Sequence, residues 1–296
     1  CLVGSEMCIR DRDMALHELP LAIFTTLAPL GAGAFVTLAL VFFTKKFSAE
    51  EYKKIDILTI VPLLFCLVGL IASFMHLASP MNALNVASTI GSTPLANEIT
   101  AFGIFCIVAA IYWIVALTGK LTFEARKAFS IVVAVLGVIF AIFVGLAYML
   151  PTVVTWNTPL SPVMMVGFFL FGGTLLGMLV LSLATRGNIT LSNGEEKAVF
   201  WTFTLGALIA LVGVIAFFAM ASTTTSVFFN VAALSGSLIP CFVFFIVLSV
   251  IAYGMGFFAI KLYPSALLLG IAIVLVVIAI FLARLCFYGL QIGIAL

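Results

Sequence analysis

The chain has 296 residues, of which 65% are hydrophobic and only 8% charged. A water-soluble domain carries about 45–50% apolar and about 25% charged residues, so this composition, with a mean hydropathy of +1.38, excludes an ordinary globular fold. The formal net charge of +2 points to no particular partner, and the information lies in where the basic residues fall.

The segment 1–13 is charged, contains Cys1 and Cys8, and precedes Met14, after which an apolar pattern begins at once. It is expected to be a sequencing or cloning remnant, leaving 14–296 as a single domain. A spanning helix needs about 20 mostly apolar residues. The run 19–43 is too long for a signal h-region and predicts a retained first span. A second span is expected over 57–78, followed by a polar loop at 79–97, with Glu98 starting a third span that ends before Lys120. The charge-free interval 128–185 is long enough for two spans, separated by Pro151, Trp156, Asn157, Pro159 and Pro162, residues that interrupt helices and suit an interface. Two more fit between Lys197 and Lys261, divided near 222–226, and a last one lies between Lys261 and Arg284. The sum is an all-α integral membrane bundle of eight transmembrane helices. A closed barrel, the other way to satisfy backbone groups in lipid, would need short alternating strands that these runs lack. Small residues at Gly31 to Ala34, Gly172, Gly173 and Gly177 predict close helix approaches.

Lys45, Lys46, Lys53 and Lys54 follow the first span, Lys120, Arg126 and Lys127 the third, Arg186 and Lys197 the fifth, and Lys261 the seventh. The alternate loops 79–97, 151–161 and 222–235 contain no basic residue. By the positive-inside rule those loops, and with them both termini, are expected outside the cytoplasm, which for a bacterial inner membrane is the periplasmic side. Cys66, Cys106 and Cys241 lie inside apolar runs, Cys286 reads as a small hydrophobe, and no CxxC spacing is present, so neither a disulfide framework nor a metal site is expected. Two histidines exclude a multi-haem protein, and no haem is expected.

Ionisable residues inside or bordering a span are costly and mark function by default. The predicted topology gathers His17, Glu18, His76, Glu98 and Arg284 in one leaflet, with Ser79, Asn82, Asn85, Asn97 and Tyr288. Each has a plainer reading. His17 and Glu18 suit a solvated helix start, and Arg284 could snorkel to headgroups. Glu98 could serve the start of its helix with Asn97 as N-cap, and His76 could make a structural hydrogen bond. The functional reading is a pocket for an amphipathic ligand whose head needs proton acceptors and hydrogen-bond donors, which fits a quinol. His76 would accept a hydroxyl proton, Glu98 would relay it, and Arg284 would hold Glu98 ionised or steady the head. Electrons would leave to a redox group outside the protein.

The segments His17-Glu18-Leu19-Pro20-Leu21, His76-Leu77-Ala78-Ser79-Pro80-Met81-Asn82-Ala83-Leu84-Asn85 and Leu95-Ala96-Asn97-Glu98-Ile99 closely resemble the anchor subunit of bacterial dimethyl sulfoxide reductases. The similarity runs on through Pro151-Thr152 and Gly167-Phe168-Phe169 to Arg284-Leu285-Cys286-Phe287-Tyr288-Gly289, covering essentially 14–296. It implies an eight-helix protein without haem that binds menaquinol near the periplasmic face. Electrons would pass to an iron–sulfur subunit and thence to a molybdopterin catalytic subunit that reduces an S- or N-oxide in anaerobic respiration. In that family the histidine of the H-L-x-S-P-M motif and the glutamate of the N-E motif are tied to quinol oxidation, which here are His76 and Glu98. The resemblance implies no terminal reduction by this protein itself. The rivals are an anchor for another molybdoenzyme, of polysulfide or selenate reductase type, and a proton-coupled transporter. The second would be expected to show internal repeats and a midplane site, and neither is evident.

Overall fold

A computed structural model describes residues 18–76, 89–187, 189–226 and 230–293. The first helix, α1 (Leu19–Phe42), starts with Pro20 in its opening turn, where a missing N–H costs nothing. After it come α2 (Ala49–Leu58) and α3 (Ile60–His76), which together make one span. This second span begins earlier than the sequence predicts. The hydrophilic residues 49–56 are helical because Ser48 and Glu51 form a capping box and Glu50 pairs with Lys54 at 2.7 Å. The break at Thr59 has a local cause in Pro62, whose ring crowds the carbonyl four residues back.

The remaining helices are α4 (Pro94–Leu117), α5 (Phe123–Ala147), α6 (Leu160–Ala184), α7 (Asn193–Thr223), α8 (Val231–Lys261) and α9 (Ala266–Gly289). Eight of the helical segments are long and apolar enough to cross a bilayer, as the charge spacing predicts. Two of them form the interior: α1 and α6 are each 78% buried over their apolar windows, against 17–44% for the other six. Lipid tails are as apolar as leucine, so close van der Waals packing has to drive this association. The small residues supply it. A Cβ on Gly33 would fall against the Phe169 carbonyl oxygen, and one on Gly173 would meet the Gly33 backbone. Gly31 faces the Pro62 carbonyl and Cys66, and Gly177 faces Thr37, so α1 is held at backbone distance from both α3 and α6.

Basic loops share one end of the bundle. There Arg126 makes a bidentate ion pair with Asp56, both side chains being almost fully buried. At the same end Lys261 pairs with Glu196 at 2.6 Å, and Lys45 Nζ donates to the Thr190 carbonyl at 2.5 Å. The opposite end is closed by the segment between α5 and α6, which bridges Val153 to Gly293 and donates from Thr155 Oγ1 to the Leu290 carbonyl at 2.6 Å. Trp156, expected at an interface, is instead buried, because its Nε1 donates to the Phe287 carbonyl at 2.9 Å and its ring stacks on Phe287.

Candidate functional site: a buried guanidinium facing a carboxyl

At the end of the bundle away from the lysines, four elements converge. Helix α9 brings Arg284, Phe287 and Tyr288 in its last turns, and α1 brings Thr25 from its second turn. Tyr148 stands at the C-cap of α5, and Glu98 occupies the second turn of α4. At 1.5 Å per residue Glu98 is about 6 Å from its helix start and Arg284 about 8 Å from its helix end, so the antiparallel pair reaches similar depth.

Arg284 is 1% exposed, which rules out snorkelling to headgroups. Its Nε donates to Thr25 Oγ1 at 2.8 Å and its Nη2 donates to the Tyr288 hydroxyl at 2.8 Å. Thr25 can accept because its own proton goes to the Leu21 carbonyl at 2.7 Å. The Tyr288 hydroxyl in turn shares a 2.6 Å hydrogen bond with the Tyr148 hydroxyl. Aromatic faces complete the cage: the guanidinium carbon lies 4.2 Å from the Phe287 ring centre, 4.7 Å from Tyr288 and 4.8 Å from Tyr148. Such faces attract a desolvated cation. Trp156 stacks on Phe287 at 5.0 Å and seals the cage toward the bundle end. One part of the guanidinium stays unused. Nη1 is buried and has no hydrogen-bond partner among the described residues, a costly state for a charged donor.

Glu98 is 5% exposed and makes no hydrogen bond or ion pair among the described residues. Arg284 is the cation within electrostatic range of it, and Tyr148 lies within range of both. One turn further along α4, Phe102 packs on Phe24 of α1 at 5.5 Å and stacks on Phe140 of α5 at 4.5 Å. Four residues after Glu98, and so on the same face of α4 one turn deeper, these rings form an apolar aromatic floor. Glu98 does not open its helix, as the sequence suggests. Thr93 is the N-cap, with Oγ1 accepting from the Ala96 amide at 3.3 Å, and Pro94 takes the first helical position. Asn97 turns outward from that task, its Oδ1 accepting from the Gly91 amide at 2.7 Å.

Of the other expected site residues, His76 is the last residue of α3, at this same end. His17, Ser79, Asn82 and Asn85 lie outside the described residues. Glu18 immediately precedes α1. The geometry thus brings Glu98, Arg284 and Tyr288 together, and adds Thr25, Tyr148 and Trp156. Sequence alone marks none of those three as a site residue: Thr25 reads as a helix hydroxyl within an apolar run, and Tyr148 as an aromatic near a span end.

The family model for the DMSO reductase anchor subunit (DmsC) matches residues 13–290. The protein belongs to this family. An anaerobic dimethyl sulfoxide reductase subunit of Haemophilus influenzae is 28% identical over 280 residues, 94% of this anchor subunit and 96% of that protein. The corresponding subunit of Escherichia coli K12 is 40% identical over 172 residues, 57% of the present sequence and 59% of its own length, so that alignment spans less than two thirds of the relative. A further anaerobic dimethyl sulfoxide reductase subunit of the same organism, YnfH, is 34% identical over 199 residues, 67% of each protein. A multi-pass membrane protein of eight candidate spans is what both the fold and the family give.

Proposed function

We propose that this anchor subunit oxidises a quinol, menaquinol or a close relative, at the end of the bundle that holds Arg284 and Glu98 and where α3 ends at His76. It would pass the electrons to an iron–sulfur subunit and a molybdopterin subunit of a dimethyl sulfoxide reductase-type complex. The observation that carries this reading is the unused Nη1 of Arg284. A buried cation held on two hydroxyls and three rings, with one donor left over, is prepared for an acceptor oxygen that the described residues do not supply. A quinol headgroup presents such oxygens, and the apolar floor at Phe24, Phe102 and Phe140 suits its ring.

Oxidation of a quinol to a quinone releases two electrons and two protons, so bases must stand beside the hydroxyls. Glu98, unengaged by the described residues, is placed to take one proton, and His76 at the end of α3 is the candidate for the other, imidazole being a common general base. Arg284 orients the oxygen, while Tyr288 and Tyr148 fix Arg284 and thereby the position of the spare donor. The lysine-free loops beside this site are assigned to the periplasm by the charge asymmetry of the sequence. Protons leaving there, with electrons used on the same side, transfer no net charge across the bilayer.

The test uses the assembled complex with Glu98→Gln and, separately, His76→Ala. Quinol-driven turnover should be lost while reduction of the oxide by an artificial dye, which bypasses the membrane, continues. Unchanged quinol turnover in both variants overturns the assignment.

A further inference from the structure

A second feature stands at the opposite, basic end. Between α1 and α5 lies an open crevice of about 270 Å³, walled almost wholly by apolar atoms of Val36, Ala39, Leu40 and Phe43 on one side and Ala134 and Val135 on the other. It is smaller than the ~300–1,000 Å³ of a typical small-molecule pocket, and its wall carries none of the polar groups that orient a headgroup there. A length of hydrocarbon suits it better. The exposed walls at Phe43 and Val135 show that it opens sideways, toward the lipid around a spanning bundle.

One ammonium group stands on its wall, at Phe43, and a second follows three residues after Phe43 in the chain. Lys127 Nζ lies 3.9 Å from the centre of the Phe43 ring, and Lys46 Nζ lies 5.0 Å from that of Phe123, one helical turn before Lys127. Their situation differs from that of Lys45, Lys54 and Lys261, which are committed to the Thr190 carbonyl, Glu50 and Glu196. Among the described residues Lys46 and Lys127 have no anionic partner, and Glu124, three residues before Lys127, pairs with neither. Each rests against an aromatic face, which modestly favours that position and leaves its hydrogen-bond donors available.

We propose that this crevice binds one diacyl anionic phospholipid, such as phosphatidylglycerol, with an acyl tail between α1 and α5 and its phosphate on Lys46 and Lys127. The occupant is argued from complementarity: an apolar slot with two uncommitted cations at headgroup level matches an anionic amphiphile. A quinol tail is a poorer match. Val36 lies eleven residues from Thr25, or about 16 Å along α1, and Lys127 stands on Phe43, farther along still. The inference does not depend on the quinol assignment.

The test is made on the whole complex, purified and equilibrated with equal phosphatidylglycerol and phosphatidylcholine, then washed, with retained lipid quantified by mass spectrometry. Phosphatidylglycerol should be enriched. Lys46→Gln and Lys127→Gln should each lower the enrichment about fivefold, and Lys127→Arg should keep it. Val135→Trp, which fills the slot and leaves both lysines in place, should lower it as well. Equal retention of the two lipids overturns the proposal, as does recovery of a prenyl quinone displaced by Val135→Trp. Sensitivity to the lysines alone, with Val135→Trp unaffected, also overturns it, because the headgroup contact would then exist without a seated acyl tail.

Discussion

Replacing Arg284 by Met should spare the fold and weaken quinol use. On the folding side, two charge-assisted bonds are lost, to Thr25 and Tyr288, but their partners stay satisfied. Thr25 keeps the Leu21 carbonyl at 2.7 Å and Tyr288 keeps Tyr148 at 2.6 Å. The desolvation of a guanidinium is relieved at the same time. Methionine also suits a box of three aromatic rings. On the binding side, the spare Nη1 donor to a quinol oxygen is a hydrogen bond to a charged group, of about 1.5–3 kcal/mol. That corresponds to about 10- to 150-fold in quinol KM. Arg284→Lys should fall between, since a single ammonium cannot reproduce the fork that reaches Thr25 and Tyr288 together. The assay is quinol titration of the assembled complex, with dye-driven turnover as the control for integrity. A quinol KM within twofold of the parent, in a complex of normal dye activity, would refute the role given to Nη1.

Asp56→Ala should destabilise the protein by about 3–5 kcal/mol, because it leaves the Arg126 guanidinium buried and unpaired, whereas Asp56→Ala combined with Arg126→Met should recover much of the loss; thermal unfolding in detergent reads both. Gly33→Ala places a methyl against the Phe169 carbonyl oxygen and should cost at least about 1–3 kcal/mol. Gly103→Ala meets nothing within 4 Å and should be neutral or gain up to about 1 kcal/mol in helix propensity. A cysteine placed at Ser92 should react with an impermeant maleimide added outside the cell, and one at Lys120 should not; the reverse pattern would invert the orientation assigned here.

Much of this architecture is legible in the sequence because charge is so scarce. Most span ends are marked by lysines, arginines or prolines, the division at 222–226 by serine and threonine instead, and the burial of α1 and α6 follows from Gly33, Gly173 and Gly177. The start of the second span is harder to read. Glu50, Glu51, Lys53 and Lys54 mark residues 49–56 as hydrophilic, yet the Ser48–Glu51 capping box makes them helical, so local capping outweighs hydropathy there. The start of α4 is misread for a related reason: Asn97-Glu98 looks like a cap, but Thr93-Pro94 supplies the cap one turn earlier and moves Glu98 inward. At the site, rarity in an apolar sequence identifies Glu98, Arg284 and Tyr288. Thr25 and Tyr148 are invisible by that criterion. Threonine is common in spans, tyrosine is common at their ends, and only the meeting of α1, α5 and α9 in space turns them into partners of a guanidinium.

The location of the quinol site is tested most directly by a photoactivatable quinol analogue bound to the intact complex and mapped by peptide mass spectrometry. Labels should fall on the first turns of α1, on α4 near Glu98 and Phe102, and on α9 around Arg284 to Tyr288. Competition by unlabelled quinol should remove them. Competable labelling confined to the lysine-bearing end, at 118–122 or 262–265, would contradict the account.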